Sequence, residues 1–515
     1  VLLANKWKKS YDNPRVFVKS ILKPFKGFEA VFEYTFDKNM YDYNFYTGKT
    51  QYTDIQGGNN IWNAAKDYLQ KEKQFTDYNA FNIYGTYKFD LNKDHHFSVM
   101  AGFNQESKYT EGVNVLSYNQ AVVEVPALGS GTGDLKATDS YNEYSVRGGF
   151  FRVNYNYMDK YLLEVNGRYD GSSKFPKDSR FGFFPSVSAA WRISAEPFME
   201  PFSGVLSNLK LRTSWGRAGT DNIGQFQYMS AYGTGGDAVF GGQNPEIAPG
   251  YTETRFPNPN ITWETSEMFN IGIDASFFNG KLNLEADWFY KKTNDILRER
   301  TDMPAILGYK LPAANVGKVD NRGIDLNITH RNHLRDFNYS IAGNLTWARN
   351  KVIDLLEPAG EKNNPRQRST GHSMSQYFGY EALGLFQSDE EANNWPQPQF
   401  GKAKAGDIKY KDLNGDGKID SNDQKEDVGN PTVPEVVYGF GFNAEWKGFY
   451  AGIFFQGAGN TSTVLGTGAD ATFFPFQWGV EESAVRSVVA DRWTEQNPSQ
   501  NVMFPRMHSN NFQNN

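Results

Sequence analysis

The gaps between this chain's alternating segments come in two lengths, and the two lengths take turns. Short gaps at 23–27, 90–95, 156–159, 278–281, 331–336 and 447–448 interleave with long excursions at 37–79, 105–142, 217–265, 293–319, 349–435 and 458–515. A shorter loop lies at 170–180, and the connection at 194–206 carries Pro197 and Pro201. Between the gaps, polar and apolar residues alternate over 15–22, 28–36, 80–89, 96–104, 143–155, 160–169, 181–193, 207–216, 266–277, 282–292, 320–330, 337–348, 436–446 and 449–457. Strands that run up and down through a membrane have short turns at one set of ends and long loops at the other. A soluble sandwich or propeller has no reason to keep that parity. The expected fold is all-β: a transmembrane antiparallel up-and-down β-barrel wall of about fourteen strands, each near the ~10 residues a tilted spanning strand needs.

Period two sorts each strand into two faces. Leu282, Leu284, Ala286, Trp288 and Tyr290 oppose Asn283, Glu285 and Asp287. Tyr161, Leu163, Val165, Gly167 and Tyr169 oppose Glu164, Asn166 and Arg168, and Leu209, Leu211, Thr213 and Trp215 oppose Lys210, Arg212 and Ser214. Phe337, Tyr339, Ile341, Leu345 and Trp347 oppose Asn338, Ser340, Asn344 and Thr346. In a barrel the first set of each strand meets lipid and the second lines a watery or plugged lumen.

The mean hydropathy of −0.63 excludes a helical membrane protein, not a barrel, whose strands show lipid at every second residue only. Aromatics cluster near strand ends, at Phe89 and Phe97, Tyr155 and Tyr161, Trp288 and Tyr290, and Trp446 and Phe449, as interfacial girdles require. Cysteine is absent, which removes disulfides, thiolate metal sites and cysteine nucleophiles. A net charge of −6 gives no footprint for nucleic acid. Val1 and the polar stretch ending at Asn515 are expected to be cut points in a longer protein.

The sharpest local motif is Asp412-Leu413-Asn414-Gly415-Asp416-Gly417-Lys418-Ile419-Asp420-Ser421-Asn422-Asp423. Its oxygen donors follow the spacing of a calcium loop, with glycine at the sixth position for the sharp turn. Asp412, Asn414, Asp416 and Asp423 are the expected side-chain ligands, Lys418 offers its carbonyl, and Asp420 binds directly or through water. Aspartate at the last position reaches less far than the usual glutamate. The alternative is an Asx-rich turn that holds itself by hydrogen bonds. Without flanking amphipathic helices, a bound Ca²⁺ would be a structural clip and not a sensor.

Other motifs carry little. Gly48-Lys49-Thr50 lacks the upstream glycine of a phosphate loop, where Tyr43 stands. Gly439 and Gly441 fall within a strand, where glycine permits close packing. His330 and His333 straddle an expected turn without a third ligand. No catalytic constellation is visible, so an enzyme is not expected.

Residues 371–460 resemble the SusC and RagA family of outer-membrane transporters of Bacteroidota. The resemblance rests on Tyr377-Phe378-Gly379-Tyr380, Gly384-Leu385-Phe386-Gln387-Ser388, the run from Gly406 to Asp420, Gly429-Asn430-Pro431-Thr432, Tyr438-Gly439-Phe440, Lys447-Gly448-Phe449 and Phe454-Phe455-Gln456-Gly457. Earlier stretches are similar to the family's barrel centre: Tyr161 to Val165, Arg168 to Phe175, and Phe184 to Arg192. The likeness implies a partial TonB-dependent transporter over 1–515, with about fourteen of roughly twenty-two barrel strands present and 349–435 as a long extracellular loop. It also implies short periplasmic turns, coupling to TonB–ExbB–ExbD through an N-terminal plug region, a SusD-like surface lipoprotein as lid, and oligosaccharide or peptide as cargo. The competing classes are a passive porin and a β-rich surface glycan-binding protein.

Overall fold

The computed structural model describes residues 6–48, 50–53, 59–62, 67–235, 237–241, 246–300, 311–358, 360, 368–425, 428–463 and 490–506. Lys49 of the Gly-Lys-Thr triplet and much of 458–515 lie outside them. Fifteen strands belong to one large sheet. In chain order they are β1 (Lys6–Asp12), β2 (Arg15–Leu22), β3 (Phe28–Thr47), β4 (Tyr68–Leu91), β5 (His95–Tyr118), β6 (Leu135–Tyr157), β7 (Tyr161–Ser172), β8 (Phe181–Arg192), β9 (Leu206–Thr220), β10 (Glu264–Phe277), β11 (Leu282–Glu299), β12 (Ala313–Leu334), β13 (Phe337–Asp354), β14 (Val436–Trp446) and β15 (Phe449–Gly459). β1 and β2 pair with the upper and lower parts of β3, so they are one strand broken at Asn13–Pro14. Proline has no N–H to give the ladder, which accounts for the break. Counted that way, the fourteen expected strands are all present.

The chain forms two compact units. One comprises Val1–Trp191, Ser214–Thr265 and Tyr309–Asn315; the other comprises Arg192–Thr213, Ser266–Gly308 and Val316–Asn515. In the first unit each strand from β3 to β8 pairs antiparallel with the next. In the second, β12, β13, β14 and β15 do the same.

Several strands are far longer than expected, and the excursions at 37–79 and 105–142 are partly strand. The register of β3 with β4 shows why. Phe32 faces Ile83 and Tyr34 faces Phe81, all on the apolar face. Further along the same face, Lys38 opposes Asp77 at 3.0 Å and Asp42 opposes Lys73 at 3.1 Å. The ladder continues while its outer face turns from apolar to charged. Past the lipid both faces are wet, so the alternation that marks a spanning strand disappears though the pairing does not. Similarly, β12 runs through His330 and His333, and the expected turn at 331–336 contracts to Arg335 and Asp336. Each histidine meets a β13 side chain: His330 lies 3.1 Å from the Tyr339 hydroxyl, and His333 contacts Asn338.

On the turn side the apolar face ends in contiguous rings. Phe25, Phe28, Tyr87, Phe89, Phe97 and Tyr155 follow one another with centroids 4.8–6.1 Å apart. Tyr157, Tyr161 and Trp191 form a second run at 6.2 and 6.4 Å. These are the interfacial girdles expected from Phe89, Phe97, Tyr155 and Tyr161. Away from this band, the buried Phe175 and Phe184 each pack their ring on Trp263, with centroids 5.2 Å apart. Trp263 donates its indole N–H to the Arg180 carbonyl at 2.9 Å.

Ala286 shares the apolar face of β11 with Trp288, and Glu285 lies on the other. Ala286→Arg should cost about 2–4 kcal/mol near the membrane midplane, and Glu285→Arg far less. Bilayer folding of both variants in the full-length protein, followed by heat-modifiable gel mobility, measures the difference. Equal penalties would contradict the face assignment.

Candidate functional site

The polar face of the wall is a charged network. In the second unit, Arg212 bridges two strands' carboxylates: its Nε donates to Asp274 at 2.8 Å, and its terminal nitrogens donate to both oxygens of Asp287 at 2.9 and 2.8 Å. Lys210 adds a second cation 3.4 Å from Asp274. Gly272 allows this approach, because a Cβ there would stand 2.2 Å from an Asp287 oxygen. In the first unit, Arg152 donates to Asn166 at 2.7 Å, and Arg168 pairs with Asp170 at 2.9 Å. Lys210, Arg212, Glu164, Asn166 and Arg168 thus lie where the alternation assigns them, opposite the apolar face.

On the loop side, residues 368–425 and 490–506 build a small module with its own core. Helix α1 (Asp389–Asn393) is capped by Ser388, whose hydroxyl accepts from the Glu391 N–H at 3.1 Å. Phe386, Ala392 and Ala403 are buried against Trp395. The Lys409 ammonium lies 4.0 Å above the Trp395 ring and pairs with Glu391 at 2.8 Å. Tyr380, Phe400 and Tyr410 form a ring triangle with centroids 5.3–5.9 Å apart. An open cavity of about 710 Å³ borders these rings together with Tyr377 and Phe378. The module is seated on β13 through the backbone, the Gly371 N–H donating to the Val352 carbonyl and the Val352 N–H to the His372 carbonyl, each at 2.8 Å.

The Asp407 carboxylate, fully buried, fastens the distant 490–506 segment. It meets Arg506 Nε at 2.6 Å and accepts from the Lys404 N–H at 2.8 Å. The Arg506 N–H donates to the Gly406 carbonyl at 2.8 Å. Gly406 takes a positive φ of 83°, and Trp493 packs so closely that a Cβ there would lie 2.2 Å from the indole. Sequence reading missed this lock. Its only local signal is a lone aspartate in Gly406-Asp407, with the partner ninety-nine positions away.

The six expected metal ligands lie in one closed loop. Asp412 accepts from the Gly415 and Gly417 N–H groups at 2.7 and 2.9 Å. Asn414 and Asp416 bond to each other through side chain and backbone, and Asp416 accepts from the Lys418 N–H at 3.0 Å. Asp420 accepts from Asn422 at 2.8 Å. Asp423 is buried and joins the loop's two ends, accepting from Leu413 at 2.8 Å and Asp420 at 2.9 Å. Gly415 and Gly417 supply the positive φ values of 75° and 81° that the turns need. Among the described residues no three acidic or histidine side chains come together closely enough to share an ion. The donors are all hard oxygens in the order calcium prefers, and a carboxylate oxygen that takes one N–H retains a second lone pair. The donor types are those calcium takes, but in this arrangement the carboxylates do not converge on one point, and their hydrogen bonds hold the loop closed by themselves.

Hydrogen bonding also sets the acidity of this module. Burial opposes ionisation of Asp412, but the Gly417 and Gly415 N–H groups outweigh it and hold the carboxyl below its ordinary value. The Gln387 N–H and the Lys409 ammonium do the same for Glu391. Groups with lowered folded-state pKa stabilise fully above their unfolded value near ~4, and that contribution is lost as pH falls through the folded value. Amide protection factors over 388–423, corrected for the intrinsic pH dependence of exchange, should accordingly be steady between about pH 6 and 8 and fall below about pH 4; protection lost on alkalinisation instead would contradict these assignments. Arg506→Ala leaves Asp407 buried without its cation. It should cost the lock about 3–5 kcal/mol, seen as lost exchange protection at 404–410 and 490–506; unchanged protection would show that the ion pair is dispensable.

Residues 7–473 match the family model described as TonB dependent receptor-like, beta-barrel. TonB-dependent receptor P26 of Formosa agariphila is 31% identical over 442 residues, covering 81% of this chain and 42% of the relative. TonB-dependent receptor SusC of Bacteroides thetaiotaomicron is 28% identical over 411 residues, covering 76% and 38%. The solved structure of the RagAB peptide transporter superposes with a TM-score of 0.78 at 18% identity, over 99% of this chain and 54% of that one. The chain thus spans less than half the length of the curated relatives it matches. Its two-faced strands, girdles and one-sided long loops have a common explanation. This chain belongs to the TonB-dependent receptor-like β-barrel family of the bacterial outer membrane, with short turns on the periplasmic side and long loops outside.

Proposed function

We propose that the full-length protein imports a bulky nutrient, an oligosaccharide or a peptide, across the outer membrane. Import is driven through TonB–ExbB–ExbD, and a SusD-like surface lipoprotein closes over the extracellular loops. The observation that carries this reading is the ordered structure beyond the lipid. β3 to β6 continue well past the apolar band, and a loop module with its own core stands above β13. An ordered surface of that extent outside the membrane suits capture of large cargo and docking of a lid. A passive pore needs neither. Likeness to SusC, and to a structure named as a peptide transporter, supports the same class.

Uptake should collapse when the TonB system is deleted, and separately when the lid lipoprotein is deleted, in cells carrying the intact gene. Undiminished uptake without TonB would defeat energised import and favour the porin.

Within the same reading, the loop from Asp412 to Asp423 serves as a structural Ca²⁺ clip. To hold the ion, Asp412, Asn414, Asp416, Asp420 and Asp423 would turn from their hydrogen bonds within the loop toward a common centre with the Lys418 carbonyl, at an affinity of ~10⁻⁴–10⁻³ M. A high-resolution structure of the full-length protein in calcium should show an oxygen shell at ~2.3–2.6 Å. Water at hydrogen-bond distances in that place would reject the clip.

A further inference from the structure

Outside the lipid band, the inner face of the first unit carries a row of aromatic rings. The register of β1 with β3 sets Trp7 opposite Phe45, Lys9 opposite Tyr43 and Tyr11 opposite Tyr41. By period two these residues share the face of Glu33 and Asp37, opposite the apolar face of Phe28, Phe32 and Phe36. Tyr41, Tyr43 and Phe45 are parallel within 8°, with centroids 6.3 and 6.1 Å apart. Tyr11 extends the row at one end, 5.1 Å from Tyr41. Tyr68 and Tyr118 extend it at the other, with steps of 5.8 and 5.6 Å. Beside the rings, β4 sets Gln74 opposite Tyr41, Glu72 opposite Tyr43 and Gln70 opposite Phe45, and Gln70 donates to Asn114 at 3.0 Å. The Lys9 ammonium stands 5.6–5.9 Å from the centroids of Tyr11, Tyr41 and Tyr43.

Aromatic pairs stabilise sheets, and centroid steps of 5.1–6.3 Å are those of rings in offset contact. Such contact joins the rings into one continuous strip and leaves the strip's solvent side accessible. None of them is buried, and Trp7 and Tyr11 are 68% and 61% exposed. An aromatic strip accessible on its solvent side and bordered by amide and carboxylate side chains matches the two surfaces of a sugar ring, its apolar C–H face and its hydroxyl rim. A peptide would be recognised differently, by pairing with a strand edge. β3 and β4, which carry most of the row, offer no such edge, because each is paired along both sides.

We infer that this row is a binding track for the sugar rings of an oligosaccharide on its way into the lumen. The inference rests on the import reading and narrows its cargo to glycan. The test uses the full-length protein in detergent, titrated calorimetrically with maltohexaose, cellohexaose and xylohexaose, and with a neutral glycine–serine hexapeptide. At least one of the sugars should bind, and Tyr41→Ala/Tyr43→Ala should weaken it by about tenfold or more. Tyr41→Phe/Tyr43→Phe, which keeps the rings, should stay within about threefold. Heat-modifiable mobility confirms that each variant folds. Binding of none of the sugars, equal sugar affinity in the alanine variant, or a hexapeptide affinity that falls in place of the sugar's would each overturn the track. TonB-dependent uptake measured in the same variants separates the two readings. Sugar affinity unchanged in the alanine variant, with uptake still TonB-dependent, defeats the track alone, whereas TonB-independent uptake strikes at import itself.

Discussion

The structure depends on one constraint: in lipid, each backbone N–H and C=O must find its partner within the protein. Antiparallel pairing of chain neighbours meets it at the least topological cost, since a short turn suffices to bring the next strand alongside. Once the ladder is set, the pleat leaves each strand one face for lipid and one for the interior. The interior face then has charges to satisfy. Arg212 between Asp274 and Asp287 shows how this is done: one guanidinium spans two neighbouring strands' carboxylates and ties them laterally through side chains as well as backbone.

The same ladder explains what could be read from the sequence and what could not. The lipid-crossing part of each strand was legible because lipid enforces the alternation. The expected 80–89 coincides with the apolar stretch of β4, ending near Phe81. Beyond it, Asn79, Asp77 and Lys73 occupy the outer face, and nothing in their polarity distinguishes a continuing strand from a loop. The long excursions were therefore overestimated, and with them the ring row was hidden. Tyr41, Tyr43 and Phe45 do alternate with polar residues, which is a strand signal, but they lie past the point where the apolar outer face stops.

The candidate site divides in the same manner. The Asp-rich loop was legible because its donors and glycines follow one another at fixed local spacing, and the structure closes it through Asp423. The Asp407–Arg506 lock and the Arg349–Glu435 pair between β13 and the start of β14 join residues far apart in the chain. Only the fold brings them together, and neither side of either pair stands in a recognisable motif. What carries the family likeness in 371–460 is thus partly structural: Gly406 and Tyr410 are required by the module's packing against Trp493, Tyr380 and Phe400.

A two-faced wall that crosses the outer membrane with its turns inside and its loops outside must label differently at its two ends. The chain has no native cysteine, so single cysteines report without background. Cysteines replacing Asn119, Gly235 and Asn393 in the full-length protein should react with a membrane-impermeant maleimide on intact cells. Cysteines replacing Asp159 and Gly280 should react only after the outer membrane is opened. Equal labelling of both sets on intact cells, or labelling of the turn positions alone, would contradict the account.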